Sequence, residues 1–221
     1  MSFRIARLCL VPALMAATAA HASPYVAPKV GTAYHFQSSL SGEGVSEVVS
    51  SEADRYGVST VRPSGERARG FRLFGIWYLG GGNQEGIGAG DAWLVRKLFP
   101  LQVGNQASFN TYGSSESRNW TRRHHWQVKS ERSVDLGSGP ERMFAISLLV
   151  EHPDFYKFEG TCDYLPRLAV CLRLSGDQFV YQTPRLTGRQ ELIQTKVVID
   201  GVETVIPKLF DPPSQQAPQK P

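Results

Sequence analysis

Residues 120–126, with the sequence WTRRHHW, hold the densest group of side chains that could do chemistry. Alternate residues of a β-strand point to the same side, so Trp120, Arg122, His124 and Trp126 would share one face. Indole rings beside guanidinium groups make cation–π contacts, and they can also stack on sugars or bind anionic lipid headgroups. Two interpretations remain, a cross-strand ladder on a solvated sheet face and a ligand-binding patch.

Motifs for catalysis and metal binding are missing from the sequence. There is no Gly-x-Ser-x-Gly nucleophile elbow. The histidines after residue 22 show neither His-x-His nor His-Glu-x-x-His spacing, and adjacent strand residues such as His124 and His125 point to opposite faces. We therefore expect no metal, no cofactor and no catalytic residues, although paired carboxylates can meet in space without a sequence motif. A hydrolase is the least favoured alternative.

The first 22 residues have the three-part organisation of a cleavable secretory signal. Arg4 and Arg7 precede the apolar run 8–20, and the segment ends on Ala20-His21-Ala22. The run is shorter than the roughly 20 apolar residues that a transmembrane helix needs, and no later segment is apolar enough to span a membrane. The sequence predicts cleavage near Ala22 and a bacterial protein of the periplasm or the exterior.

Removal of that segment would lower the formal charge from +4 to +2, because it carries two arginines and no acid. A nearly neutral chain lacks the strongly basic face that nucleic-acid binding requires. We therefore expect no nucleic-acid partner.

Two cysteines remain after residue 22, Cys162 and Cys171. An isolated pair in an exported protein usually forms a disulfide. A turn centred on Pro166 and Arg167 would place the two cysteines directly opposite each other, close enough for the bond. The unfavourable proline in a two-residue turn leaves a wider loop open as an alternative.

Short apolar segments separated by Gly, Ser, Asn and Pro predict an all-β protein. We expect a curved antiparallel sheet forming a sandwich or open barrel, with at most one or two short helices, one of them over 91–99 and capped by Asp91. A single domain would cover residues 23–210, followed by a disordered Pro- and Gln-rich tail, 211–221. A late hairpin is predicted around Asp200 and Gly201.

Two predicted strands, Phe71–Leu79 and Met143–Val150, are apolar on both faces. An antiparallel sheet usually leaves one face solvated, so either a second layer covers these strands or one face lines a hydrophobic cavity. The second interpretation adds Phe74, Trp77 and Tyr78 to the candidate ligand-binding residues. The glycine-rich residues 80–90 lack a Gly-Lys-Ser/Thr ending and predict a surface loop, or a mobile lid over a pocket.

Residues 99–105, Phe-Pro-Leu-Gln-Val-Gly-Asn, followed by Phe109, resemble the Pro-Leu-x-Val-Gly pattern of uncharacterised exported bacterial β-rich proteins. In that family a glycine turn, a Val- and Phe-rich strand and a Tyr-x-Pro segment follow, and residues 137–139, 144–146 and 164–166 are the counterparts. The resemblance spans residues 98–183 and implies a curved antiparallel sheet of the open-barrel kind found in envelope lipid carriers. It supplies no catalytic residues, and the cysteine pair that flanks the Tyr-x-Pro turn departs from the pattern.

These observations together predict an exported envelope protein that binds an apolar or amphiphilic, lipid-like ligand without catalysis. The alternative is a structural module of the envelope that contacts a protein partner or a glycan through residues 120–126 or through an exposed sheet edge.

Overall fold

The computed structural model describes residues 24–80, 85–114, 119–181, 187–207 and 209–210. The expectations for the secretory signal and for the tail 211–221 lie outside these residues. Within them the chain forms one short α-helix, one 3-10 turn and thirteen strands, which confirms the all-β class. The elements are β1 (Ala33–Ser38), β2 (Gly42–Ser51), β3 (Arg55–Val61), β4 (Arg67–Leu73), β5 (Trp77–Leu79), β6 (Gly86–Ile87), α1 (Ala89–Arg96), β7 (Gln106–Ser114), β8 (Asn119–Asp135), β9 (Pro140–His152), β10 (Tyr156–Leu165), the 3-10 turn Pro166–Leu168, β11 (Val170–Phe179), β12 (Gly188–Ile199) and β13 (Val202–Val205).

All the described strands belong to one antiparallel sheet. Its order is β5-β4-β3-β2-β1-β12-β11-β10-β9-β8-β7-β6, and β13 pairs with the far end of β12. The sheet is nearly closed into a barrel, which confirms the predicted curved sheet. Two strands from opposite ends of the chain, β1 and β12, pair and join the two halves of the sheet.

The predicted strand Phe71–Leu79 is wrong, because the chain reverses in its middle. Phe74 and Gly75 have positive φ values of 49° and 73°, and the reversal separates β4 from β5. A non-glycine residue at positive φ is uncommon, and the apolar pattern of the segment masks it. The resulting hairpin packs its Leu73, Trp77 and Leu79 side chains into the main hydrophobic cluster, whereas Phe71 and Tyr78 remain 38% and 37% exposed.

The tip of the β4–β5 hairpin lies against the turn between β10 and β11. A Cβ atom at Gly75 would overlap the carbonyl oxygen of Ala169. In return, the backbone N–H of Cys171 donates a hydrogen bond to the carbonyl of Gly75 at 3.3 Å. Only glycine satisfies both the positive φ and this close approach.

We predict that Gly75→Ala lowers the free energy of unfolding by about 3 kcal/mol or more, because backbone strain and a clash with Ala169 add. The matched control is Gly65→Ala, where φ is +79° but nothing lies within 4 Å of the added Cβ. The control should lose only the strain of about 1–2 kcal/mol. Urea denaturation of both variants measures the difference, and equal losses would contradict the close packing of the hairpin tip.

The disulfide between Cys162 and Cys171 is confirmed, with 5.3 Å between the two Cα atoms. The predicted direct opposition of the two cysteines is wrong, because Cys162 pairs with Leu174 and Cys171 pairs with Tyr164. The 3-10 turn and a bulge between Asp163 and Tyr164 shift the register. The wider loop of the two sequence interpretations is the one that forms, and the bond joins diagonal neighbours.

We expect the double variant Cys162→Ala, Cys171→Ala to fold but to lose about 2–3 kcal/mol of stability, the loop-closure entropy of a short cross-linked loop. Equilibrium unfolding without reductant measures the loss. Reductant should lower the stability of the unmodified protein to that of the double variant and leave the double variant unchanged.

The helix begins earlier than predicted, and Asp91 is not its cap. Gly88 occupies the N-cap position without a side-chain hydrogen bond. The Asp91 carboxylate instead accepts hydrogen bonds from the backbone N–H of Asn110 at 2.8 Å and from the hydroxyl of Tyr112 at 3.0 Å. Asp91 therefore fixes α1 to β7. The predicted glycine-rich loop ends in β6 and α1, and its residues 81–84 lie outside the described chain.

The predicted late hairpin is confirmed. Asp200 and Gly201, with φ of 52° and 78°, form its turn between β12 and β13. The predicted strand Met143–Val150 lies within β9. No helix in the described part of the chain is long and apolar enough to cross a membrane.

Candidate functional site

Residues that are paired in register across antiparallel strands lie on the same side of the sheet. Pairing therefore defines a single face, here called the concave face, which holds most of the main hydrophobic cluster. Three adjacent rows cross it. They are Phe109-His124-Val150-Phe158-Gln178-Gly188, Ala107-Trp126-Leu148-Gly160-Gly176-Gln190 and Val128-Ile146-Cys162-Leu174-Leu192-Ser38.

The four residues predicted to share a face of β8 alternate along this strand, and their face is the concave one. Trp120, His124 and Trp126 are buried, and the Arg122 side chain is 19% exposed. A ladder on a solvated face is therefore excluded. Trp120 lies at the end of the strand, where its ring covers Gly113 so closely that a Cβ there would overlap it.

Aromatic contacts bring part of the predicted site together. The His124 ring stacks on Phe109 with 4.6 Å between centroids, and Trp126 meets Phe109 edge-on at 4.7 Å. Trp77, from the inserted hairpin, contacts both His124 at 5.9 Å and Phe158 at 5.2 Å. These five residues, Trp77, Phe109, His124, Trp126 and Phe158, are called the aromatic cluster below.

The other two residues predicted from the hairpin lie elsewhere. Phe74 belongs to a separate aromatic group with Tyr25 and Phe99, at centroid distances of 4.9 and 5.2 Å. Tyr78 follows Trp77 in β5 and points to the opposite side of that strand, where it is 37% exposed. The structure therefore joins Trp77 to His124 and Trp126 and separates Phe74 and Tyr78 from them.

A chain of buried polar groups borders the aromatic cluster. The Thr111 hydroxyl donates to the Glu85 carboxylate at 2.9 Å and lies 2.9 Å from Nε2 of His124. Arg122 forms an ion pair with the second oxygen of Glu85 at 2.6 Å and lies over the Tyr156 ring. Because the threonine hydrogen is directed to Glu85, Nε2 of His124 must donate to the Thr111 oxygen. Its Nδ1 is then an acceptor, buried and without a partner.

This arrangement differs from a catalytic triad in its order. In a triad the carboxylate orients the imidazole, and the imidazole activates the hydroxyl. Here Glu85 accepts from the hydroxyl itself, and Thr111 is fully buried. Burial, with the nearby charge of Arg122, lowers the pKa of His124 to about 3, which makes the imidazole a weak base. This hydrogen-bonded group therefore keeps a neutral His124 and the Glu85–Arg122 ion pair inside the sheet.

The lowered pKa of His124 should make stability fall in acid. The pKa of His124 is about 3 in the folded state and 6.5 in the unfolded state. The full contribution of His124 to the free energy of unfolding is therefore present only above pH 6.5. Below that pH the unfolded state takes up the proton, and up to about 1.4 kcal/mol should be lost per pH unit from this group.

Urea midpoints measured between pH 7 and pH 4 test this expectation. His124→Phe, which keeps the ring stack on Phe109, should flatten the profile in this window. His125→Gln is the control, because His125 is exposed and bonded to Ser108 on the other side of the strand. A profile that His124→Phe leaves as steep as before would contradict a neutral buried His124.

Two glutamines that the sequence reasoning missed lie further along the concave face. Gln190, Leu192 and Gln194 alternate on β12 and so share this face. Gln194 is 0% and Gln190 8% exposed, yet neither side-chain amide has a hydrogen-bond partner in the part of the chain that the structure describes. Their local sequence, Arg-Gln-Glu-Leu-Ile-Gln, is typical of a strand with a solvated face. Only the closure of the sheet places the two glutamines inside.

The leucines beside these glutamines are less completely buried than the rest of their row. Leu174 and Leu192 pair with each other and are half-buried, whereas their row neighbours Ile146 and Cys162 are fully buried. The β4–β5 hairpin contacts the sheet at His124, Phe158 and Cys171. Gln190, Gln194, Leu174, Leu192 and Ser38 are called the glutamine patch below.

Two grooves open beside the concave face, and each is lined in part by one of its residues. A groove of about 710 Å³ at the end of the β7–β8 hairpin is lined by polar and aromatic residues, among them Tyr112, Arg123 and the predicted site residue Trp120. A cleft of about 530 Å³ beside β12 and β13 is lined mainly by apolar residues, among them Ile193 and Phe210, and also by Gln194 of the glutamine patch. Neither is lined by Arg122, His124 or Trp126. No group of three or more metal-ligating residues occurs in the part of the chain that the structure describes.

No protein-family model matches this sequence. No curated protein matches it either. Among solved structures, the hypothetical lipoprotein YmcC from Escherichia coli is similar over 74% of this chain and 82% of its own, at 8% identity and a TM-score of 0.43. An exported protein of YmcC-like fold from Bacteroides fragilis is similar over 79% of this chain and 99% of its own, at 9% identity and a TM-score of 0.40. Similarity this low says nothing of what this chain does.

Proposed function

We propose that this protein is exported and binds an amphiphilic, lipid-like ligand on the glutamine patch. The observation that carries the proposal is the pair of buried glutamines, whose four amide nitrogen and oxygen atoms have no hydrogen-bond partner among the described residues. Leu174 and Leu192 would contact the apolar part of the ligand, and the amides of Gln190 and Gln194 would hydrogen-bond its polar group.

Export is supported by the residues of the chain itself. Residues 1–22 have the order of charged, apolar and small residues of a secretory signal. The Cys162–Cys171 disulfide fits an oxidising compartment such as the bacterial periplasm. The proposed place of action is therefore the cell envelope or the exterior.

The energetics of burial favour a ligand over a purely structural role for the glutamines. An amide that leaves water without regaining hydrogen bonds costs about 1–3 kcal/mol. Leucine in both positions would avoid this cost and would continue the apolar surface of Leu174 and Leu192. A ligand with hydroxyl, amide or ester groups would offset the cost, because it supplies both a donor and acceptors. The aromatic cluster then acts as the packed wall beside the site.

The alternative is an envelope module that contacts a protein or a glycan. The groove at the end of the β7–β8 hairpin favours it, because Tyr112 is 45% exposed there beside Asn110 and Arg123. An aromatic ring flanked by planar polar side chains suits stacking on a sugar. Tyr112→Ala would abolish that binding and would leave ligand binding at the glutamine patch unchanged.

The substitutions Gln190→Leu and Gln194→Leu test the proposed site. Each should raise the free energy of unfolding of the ligand-free protein by about 1–3 kcal/mol, because an unpaired buried amide is removed. Each should weaken binding of monolauroylglycerol, whose hydroxyls can bond the amides, by about tenfold. Calorimetric titration below the micelle concentration measures the affinity.

Gln106→Leu is the matched control, because Gln106 is an exposed glutamine on β7, which four strands separate from β12 in the sheet order. It should leave monolauroylglycerol binding unchanged. The proposal fails if the unmodified protein binds no monolauroylglycerol and native mass spectrometry of protein from its own host finds no bound amphiphile. It also fails if both glutamine variants bind as tightly as the unmodified protein.

A further inference from the structure

Arg72 is a buried arginine in the β4 strand, on the side opposite Leu73. It is 6% exposed, and its register neighbours are Tyr56 on β3 and Tyr78 on β5. Tyr56 is fully buried, and Tyr78 is 37% exposed. Arg72 thus lies at the edge of the interior, between a buried tyrosine and one that reaches solvent.

The guanidinium of Arg72 has no counter-charge within the described part of the chain. It forms no ion pair and no hydrogen bond there, and its Nε atom is completely buried without a partner. Arg122, the other strongly buried arginine discussed above, is paired with Glu85 at 2.6 Å. An arginine that leaves water without a partner costs several kcal/mol, so an unpaired one at this depth needs a reason.

The hydroxyls around Arg72 supply no negative charge. Burial raises the pKa of Tyr34, Tyr56 and Tyr78, and the nearby positive charge of Arg72 only opposes that rise. Two of these hydroxyls donate their hydrogens elsewhere, Tyr34 to the carbonyl of Leu168 at 2.8 Å and Tyr56 to that of Ala169 at 3.0 Å. The tyrosines therefore stay neutral beside the cation.

Tyr78 lies between Arg72 and the solvent. Its ring lies against Gly70, two residues before Arg72 on β4, so closely that a Cβ at that position would overlap the ring. A glycine at position 70 permits this placement. Because Tyr78 is partly exposed and belongs to a strand of three residues, it can move without breaking a long ladder.

We propose that Arg72 is an anion-binding residue and that Tyr78 covers the site. The anion is a carboxylate or a phosphate group, since the planar guanidinium presents paired donors that match two oxygens of either group. The site is separate from the glutamine patch, because three strands of the sheet order, β3, β2 and β1, lie between β4 and β12. Covering this anion site is a role of Tyr78 that the apolar pattern of its segment does not reveal.

Thermal unfolding in rising concentrations of sodium phosphate or sodium acetate tests the site, with sodium chloride at matched ionic strength as the reference. An anion that binds only the folded state raises the unfolding midpoint. We expect a rise above the chloride reference for the unmodified protein and no rise for Arg72→Met. A rise with phosphate alone assigns a phosphate ligand, and a rise with acetate alone assigns a carboxylate.

Arg69→Met is the matched control, because Arg69 is an exposed arginine on the same strand. It should keep the full rise. Arg72→Lys keeps the positive charge but loses the paired donors of the guanidinium. The apparent dissociation constant of the anion should therefore increase by about tenfold. This variant decides the outcome if Arg72→Met does not fold. The proposal is overturned if the unmodified protein shows no rise with either anion, or if Arg72→Met and Arg72→Lys both keep it.

The glutamine variants separate this proposal from the proposed function. Gln190→Leu and Gln194→Leu should keep the rise with anions even while they lose affinity for monolauroylglycerol. Failure of one site therefore leaves the other standing.

Discussion

A single sheet that curves toward closure must cover its own concave face, and the β4–β5 hairpin does so here. Phe74 and Gly75 reverse the chain so sharply that the hairpin tip meets the backbone at Ala169. This contact places Trp77 against His124 and Phe158. The packing of the aromatic cluster therefore depends on how closely the hairpin tip approaches the turn between β10 and β11.

Polar groups inside the sheet fall into two kinds. Glu85, Thr111, Arg122 and His124 are joined in one network, in which only Nε of Arg122 and Nδ1 of His124 lack a partner among the described residues. Gln190 and Gln194 are buried, and no atom of their amides has a partner among these residues. A connected network rigidifies the interior, whereas unpaired amides leave hydrogen-bonding capacity for another molecule. The difference separates a supporting region of the concave face from a receptive one.

The sequence predicted features that depend on local order. Alternation along β8 placed Trp120, Arg122, His124 and Trp126 on one face, and Asp200-Gly201 marked a hairpin. The two cysteines predicted the disulfide but not its diagonal register, because a bulge between Asp163 and Tyr164 and the 3-10 turn shift the pairing of β10 with β11.

Features set by distant parts of the chain could not be predicted in this way. The reversal at Phe74 is imposed by the turn near Ala169, about a hundred residues away along the chain. The burial of Gln190 and Gln194 results from closure of the sheet, and an alternating polar strand carries no sign of it. The candidate site includes these two glutamines. Because periodicity shows only which residues share a strand face, it pointed to the aromatic cluster and not to the glutamines.

The two ends of the twelve-strand path are its shortest members, β5 with three residues and β6 with two. A sheet edge offers unpaired backbone groups to any other extended chain, and a long edge invites fibre growth. β5 pairs with only three of the seven residues of β4, and β6 with only two of the nine residues of β7. Among the described residues, the rest of β4 and β7 therefore lies on the sheet edge and could pair with an extended segment of another chain, and Phe71 and Tyr78 are exposed beside one of these edges.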